Sequence, residues 1–273
     1  MKKFASVGVF LCVVSMFLCS QIVEDKDIPA DMKAILSEKT LVVAMTATDQ
    51  PPFYFINDEG NLVGFDVDIA RKMAKELGIT RLVINREAKS FNDVVSMVAS
   101  GKADLAISKL SRTLMRARYV KFSTPYIVLT QGLLFNRLQL ARYTSEENVR
   151  SFIRGFEGKI GVIQSSSYVN YAKENFPKAQ IVEYPTWDAV VAAVVAGDVL
   201  AAYRDDLEIR KIMDSLPNSA LTLKPMYFTD LTDPIAIAVK SDNTQLLSWV
   251  NTFLEIQAYN LTSDELIKKY LIK

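Results

Sequence analysis

Histidine is missing altogether from this chain of 273 residues. Its absence removes the commonest general base and metal ligand, and with them the Ser-His-Asp, Cys-His and zinc-histidine arrangements. Only two cysteines occur, Cys12 and Cys19, both within the first twenty residues. The remainder can form no internal disulfide, so its core must hold it together unaided. Neither sign of charge is in surplus: 32 lysines and arginines face 31 aspartates and glutamates, a formal charge of +1. Such a balance excludes the basic footprint of a nucleic-acid binder. Past the first twenty residues, no stretch approaches the roughly 18 uncharged apolar residues that a membrane-crossing helix needs. No metal site is expected either. "DEGNLVGFDVD" spaces carboxylates faintly like a calcium loop but lacks the ligand spacing and terminal glutamate of one.

What is present begins with a targeting segment. Lys2 and Lys3 precede an unbroken apolar and small-residue run from Phe4 to Leu18, too short to span a bilayer and suited to a secretory signal. Residues 1–20 are therefore read as a signal peptide and 21–39 as an N-terminal leader. Cys19 closes the run and is a lipidation candidate, although Leu18 fills a place where lipoprotein signals usually carry a small residue; plain cleavage near Ser20 is the other reading. Removing the signal loses two lysines and no acid. Either way the protein is exported, touching membrane only through an N-terminal lipid.

The body alternates strand-like and helix-like segments, the pattern of an α/β fold. "TLVVAM" (Thr40–Met45) reads as a buried strand, and "NDEG" (Asn57–Gly60) as the turn of a hairpin. "DVDIARKMAKELG" comes next as a helix, with Asp66 its expected N-cap, Ile69, Met73 and Leu77 its apolar stripe, and Gly78 its stop. "LTQGLLFNR" (Leu129–Arg137) looks extended. "DPIAIAVK" (Asp233–Lys240) is a strong strand, expected to come after a proline-containing loop. Tyr119, Phe122 and Tyr126 are read as packing residues.

One pattern is written twice. "FNDVVSMVASGKADLA" from Phe91 and "WDAVVAAVVAGDVLAA" from Trp187 share 5 of 16 positions at a constant offset, Gly101 falling on Gly197. Each reads as helix, glycine, strand. Ligands of open α/β sheets sit beyond the carboxyl ends of strands, so the residues just past each strand are the candidates for a site. The first copy continues into "SKLSRTLMR" (Ser108–Arg116), the second into "YRDD" (Tyr203–Asp206). A free amino acid needs a carboxylate site, which an arginine fork with hydroxyls and backbone N–H groups supplies, and an ammonium site, which an aspartate supplies. Arg116, Ser111, Thr113, the Ser165–Ser167 loop and Asp205 are the residue types required.

"SRTLMRARYVKFSTPY" (Ser111–Tyr126) resembles the signature stretch of bacterial extracellular solute-binding proteins of family 3, the polar amino-acid binders of ABC importers. "PPFYF", "GFDVDIARKMAKELG", "SGKADLAIS" and "GKIGVIQSSS" match other blocks of that family in the same order. The resemblance runs from about Leu41 to the C-terminus. It implies a periplasmic-binding-protein-like type II fold, two α/β lobes joined by two hinge crossovers that close like a flytrap. Lobe 1 would comprise 40–131 plus 225–273, and lobe 2 residues 132–224. It implies that Arg116 grips the ligand α-carboxylate with help from Ser111, that Ser166 and Ser167 donate from the other lobe, and that Asp205 takes the α-ammonium. Phe53 would be a cleft wall. A free amino acid and a membrane permease would be the partners of a monomer that uses no cofactor and is no enzyme.

Three departures bear on the ligand. Gln50 stands where the family often places a stacking aromatic. Ala47 replaces a frequent acid, with Asp49 close by as a substitute. Lys109 replaces a glycine or small residue; it would favour an acidic or unusual ligand if it reached the cleft, and pointing to solvent is the preferred reading. Two other functions stay open. The fold is similar to that of periplasmic cyclohexadienyl dehydratases, but the matched cleft segments offer no glutamate as proton donor, only Asp49 or Asp205. A free-standing amino-acid sensor is the second. A fused lytic or signalling domain is not expected, because the sequence ends with "KKYLIK".

Overall fold

A computed structural model describes residues 27–143 and 149–272. The signal segment and both cysteines lie outside the described residues. In chain order the first lobe comprises α1 (Ala30–Glu38), β1 (Thr40–Thr46), the hairpin β2 (Phe55–Ile56) and β3 (Leu62–Val63), then α2 (Phe65–Glu76), β4 (Arg81–Ala88), α3 (Phe91–Ala99) and β5 (Leu105–Ala106). A single turn of 3₁₀ helix at Arg116–Arg118 leads into β6 (Val120–Asn136), which crosses to the second lobe. That lobe contains α4 (Arg137–Tyr143), α5 (Val149–Arg154), β7 (Lys159–Ile163), α6 (Ser167–Asn175), β8 (Gln180–Tyr184), α7 (Trp187–Ala196), β9 (Ala201–Asp205), α8 (Asp206–Ser215) and α9 (Ser219–Thr222). β10 (Leu223–Lys240) crosses back, and α10 (Thr244–Gln257) and α11 (Ser263–Tyr270) pack on the first lobe.

The strand order is β4-β1-β5-β10-β6-β9-β7-β8. The outer three strands on each side are parallel, and the two central ones are long antiparallel strands of 17 and 18 residues. β6 and β10 are the two crossovers, and their ladder joins the half-sheets. Its register breaks between Tyr227 and Thr232, opposite Gly132 and Thr130. That bulge is where the lobes meet. β10 begins at Leu223, so the proline-containing loop expected before Asp233 is instead strand. Pro225 is tolerated because β5 pairs only with Ala238 and Val239, which leaves that end of β10 at an edge; at Pro234 the neighbouring segment asks only for the carbonyl, which accepts from Arg112 N at 2.8 Å.

Each half-sheet carries a core on both faces. β1 is an apolar run because helices cover both of its sides. The duplicated segments become α3 with β5 and α7 with β9. Ser90 caps α3 by accepting from Asp93 N, and Thr186 caps α7 by accepting from Ala189 N, so the capping residues repeat as well. Gly101 and Gly197 take positive φ, 74° and 86°, where the chain turns back to the sheet.

Helix α2 corrects one expectation. Its N-cap is Gly64, not Asp66. The first N–H groups donate to carbonyls of the preceding loop, Phe65 N to Pro52 O (3.0 Å) and Asp66 N to Phe53 O (2.8 Å). With the helix start satisfied by backbone, the Asp66 side chain turns inward and is fully buried. Tyr119 is a second correction: it is exposed, whereas Tyr126 is buried and Phe122 half-buried. Gly64 holds φ 126°, and a Cβ there would strike the Phe53 carbonyl and lie 2.8 Å from Pro52 O. Gly64→Ala is expected to cost about 2 kcal/mol or more in urea unfolding; stability equal to the parent protein would show that this loop–helix junction is not strained.

Candidate functional site

The repeat sets the site. Lys109 lies just past β5 and Asp205 ends β9 at equivalent places in the two copies, 96 residues apart, and their side chains meet across the gap between lobes. Lys109 Nζ lies 3.1 Å from Asp205 Oδ1, 3.0 Å from Oδ2 and 2.7 Å from Glu208 Oε1. The lysine side chain is 2 % exposed. Its solvent-facing reading is therefore corrected: two buried carboxylates draw the ammonium inward. Lys109 sits at φ 46°, held there because its N–H donates to Asp66 Oδ2 at 2.6 Å. Tyr126 OH donates to the other Asp66 oxygen at 2.8 Å. Phe53 forms the wall beneath, its ring centroid 5.3 Å from the ammonium.

On lobe 2, Asp205 also caps α8 by accepting from Glu208 N at 3.1 Å. Its Oδ2 is buried without a hydrogen bond, as is Arg204 Nε 3.5 Å away. The Lys109 ammonium beside Oδ2 is angled so that its hydrogen bond goes to Oδ1. Burial alone would raise the Glu208 carboxyl, but Lys109, Lys211 and Arg204 hold it well below the usual range. It stays an anion.

Two guanidiniums complete the group. Arg116 is buried; Nη1 donates to Ser111 O at 3.1 Å and Nη2 to Asn92 Oδ1 at 3.4 Å. Burial lowers its pKa to about 10. Arg204 lies between rings of both lobes, its Cζ 5.7 Å from the Phe91 centroid and 5.3 Å from that of Tyr168, and Nη2 reaches Gln50 Oε1 at 3.4 Å. Ser111 Oγ bridges the lobes to Ser167 Oγ at 2.9 Å and donates to Asp233 Oδ2 at 3.0 Å. Burial and then the Asp205 charge raise the Asp233 carboxyl.

Phe91, Lys109, Ser111, Arg116, Ser167, Arg204 and Asp205 enclose a cavity of ≈ 10 Å³, the room of a single water. Larger clefts flank it. One of ≈ 310 Å³ runs past Asn92, Arg116 and Ser167, the other of ≈ 260 Å³ past Gln50, Phe91 and Glu208. A bound amino acid between the arginines and Asp205 requires the lobes to part.

Of the residues singled out by sequence, Arg116, Ser111, Ser167, Asp205 and Lys109 line one cavity, with Phe53 against Lys109. Ser166 stands at its edge, donating to Ile163 O at 2.6 Å. Asp49 is not part of the cluster: it pairs with Arg86 at 2.7 Å on a half-exposed rim. Arg204, Glu208, Asp233, Asn92 and Phe91 were not foreseen as site residues. Outside the matched segments, Glu208 sits one helical turn past Asp205 and is buried with it. The signal was in view: Arg204 adjoins the Asp205 singled out, and Glu208 is three residues on. Among the described residues no group of histidine, cysteine, aspartate and glutamate could hold a metal, and no helix is long and apolar enough to cross a membrane.

Comparison with known proteins gives a family match over residues 41–273, to the bacterial extracellular solute-binding proteins, family 3. The ABC transporter glutamine-binding protein GlnH of Bacillus subtilis (strain 168) is 27% identical over 253 residues, covering 90% of this chain and 86% of that protein. The crystal structure of an amino acid ABC transporter substrate-binding protein, AbpA from Streptococcus pneumoniae Canada MDR_19A bound to L-arginine, has a TM-score of 0.69 at 28% identity, over 87% of this chain and 97% of that one. The cyclohexadienyl dehydratase of Pseudomonas aeruginosa PAO1 is 28% identical over 177 residues, 64% of this chain and 63% of the enzyme. Type II periplasmic binding proteins therefore share this fold, and the relatives include both binding proteins and enzymes.

Two measurements check the electrostatics. Lys109→Met strands two buried carboxylates and is expected to destabilise by about 3 kcal/mol in denaturant unfolding, with much of the loss recovered in Lys109→Met/Glu208→Leu; additive losses would mean the pair is uncoupled. Burial raises the Asp66 pKa to about 7 from 3.8. The folded state thus binds the proton more tightly than the unfolded one, and the stability this confers is present below pH 4 and lost as pH rises through 7. Relative to Asp66→Asn, the parent protein should lose up to ~4 kcal/mol over that window; parallel stability–pH curves would contradict the buried carboxyl.

Proposed function

The chain belongs to the bacterial extracellular solute-binding proteins, family 3, and from that premise we propose that it captures a polar amino acid outside the cytoplasmic membrane and delivers it to an ABC permease. The observation that carries this reading is that Arg116 of lobe 1 and Asp205 of lobe 2 face one buried cavity between hinged halves. A guanidinium and a carboxylate from opposite sides are complementary to the two ends of a zwitterion. Ligand then closes the lobes because it contacts both only in the closed state. Ser111 and Ser167, whose hydroxyls meet across the lobes at 2.9 Å, can turn to the ligand as the lobes part, and Ser166 and Ser167 start α6, whose N-terminus faces the same anion site. A roughly micromolar dissociation constant corresponds to about −8 kcal/mol, within reach of a few charge-assisted bonds in a closed cleft.

The protein acts as a binding module rather than an enzyme. A dehydratase needs a proton donor aimed at a leaving group, and Glu208 is held as an anion by three cations. The signal segment directs export, with lipidation at Cys19 or cleavage near Ser20 deciding between an anchored and a free monomer. Arg116→Ala should lower affinity for the bound amino acid at least a hundredfold by titration calorimetry, with the far-UV spectrum and melting temperature close to the parent protein. Unchanged affinity in the folded variant would remove Arg116 from the ligand.

A further inference from the structure

We infer that the amino acid this site takes is acidic, with Arg204 as the receptor for its second carboxylate. The inference rests on the amino-acid reading above and names the class of ligand.

Three cations and one carboxylate line the cavity: Lys109, Arg116 and Arg204 against Asp205. Arg116 and Asp205 suffice for a zwitterion's two ends, which leaves Arg204 in excess. Its side chain is 5 % exposed, and Nε has no hydrogen bond. Its one close carboxylate is Asp205 Oδ2 at 3.5 Å, too far for a hydrogen bond to Nε, and Nη2 reaches only the neutral Gln50 Oε1 at 3.4 Å, so a buried donor facing the ligand space is left for an anion. Arg116 and Arg204 line the same cavity and stand 6.0 and 5.7 Å from the same Phe91 centroid.

The ammonium end gives the same answer. Asp205 Oδ2 is buried and accepts no hydrogen bond, so a ligand ammonium placed there sits beside the cations of Lys109, 3.0 Å away, and Arg204, 3.5 Å away. Lys109 retains Glu208 at 2.7 Å as its own counter-ion. A neutral side chain leaves the repulsion from Arg204 uncompensated, and a cationic one adds to it. A carboxylate on Arg204 offsets it. Asp233 does not line the cavity; its oxygens accept from Ser111 Oγ at 3.0 Å and Tyr171 OH at 3.3 Å.

Titration calorimetry with L-glutamate, L-aspartate, L-glutamine and L-arginine tests this on the exported form of the protein. L-glutamate or L-aspartate should bind at least tenfold more tightly than L-glutamine and L-arginine. Arg204→Gln should reduce the preference for glutamate over glutamine at least tenfold, and Arg204→Lys should restore part of it; circular dichroism of each variant verifies folding. L-glutamine or L-arginine binding as tightly as both acids, or an unchanged preference in folded Arg204→Gln, would overturn the inference while leaving amino-acid capture intact. Binding of none of the twenty amino acids would overturn both.

Discussion

The ion pair between Lys109 and Asp205 organises the molecule's interior. Each residue ends a copy of the same helix–glycine–strand unit, so the internal repeat itself brings them face to face. Neither charge has water to fall back on, and buried charges persist only when paired and hydrogen-bonded. Asp66 fixes the lysine backbone, Glu208 shares its ammonium, and the Asp205 carboxylate caps α8. Asp66 is buried within lobe 1 by the Lys109 N–H and Tyr126 OH, whereas the Lys109 ammonium meets Asp205 and Glu208 only because the lobes come together.

The hinge makes that meeting conditional. The ladder between β6 and β10 is interrupted most widely between Tyr227 and Thr232, where four residues of β10 have no partner on β6, with smaller shifts at Ile235–Ala238 inside lobe 1. The cavity in the closed arrangement is too small for an amino acid, and closure is already supported by contacts within the protein. A ligand must therefore offer more to the closed state than the Lys109–Asp205 contact it disturbs, with each 1.4 kcal/mol of difference worth tenfold in affinity. A lysine in this position thus raises the demand on the ligand.

Much of the fold is legible in sequence because its signals are local. The apolar run of β1, the Asn57–Gly60 turn and the duplicated helices each declare themselves within a dozen residues. Asp66 misleads for the same reason: a good capping residue sits at the right place, but carbonyls from Pro52 and Phe53 take the N–H groups first, a competition that only tertiary structure reveals. At the site, Arg116 and Asp205 can be singled out by chemical type. The inward path of Lys109 cannot, because it depends on two carboxylates 96 and 99 residues away. Arg204 and Glu208 escape notice for a simpler reason: beside an aspartate at a helix start they read as surface charges, and burial is not written in a residue's type.

The central claim is that an amino acid lies between Arg116 and Asp205, one end on each lobe. A crystal structure with the bound amino acid tests it most directly. The expected result is the α-carboxylate within hydrogen-bonding distance of the Arg116 guanidinium, the ammonium on Asp205, and Lys109 resting on Glu208. A ligand seated outside the interlobe cavity, with Lys109 still on Asp205 and Arg116 still on Ser111 and Asn92, would contradict it.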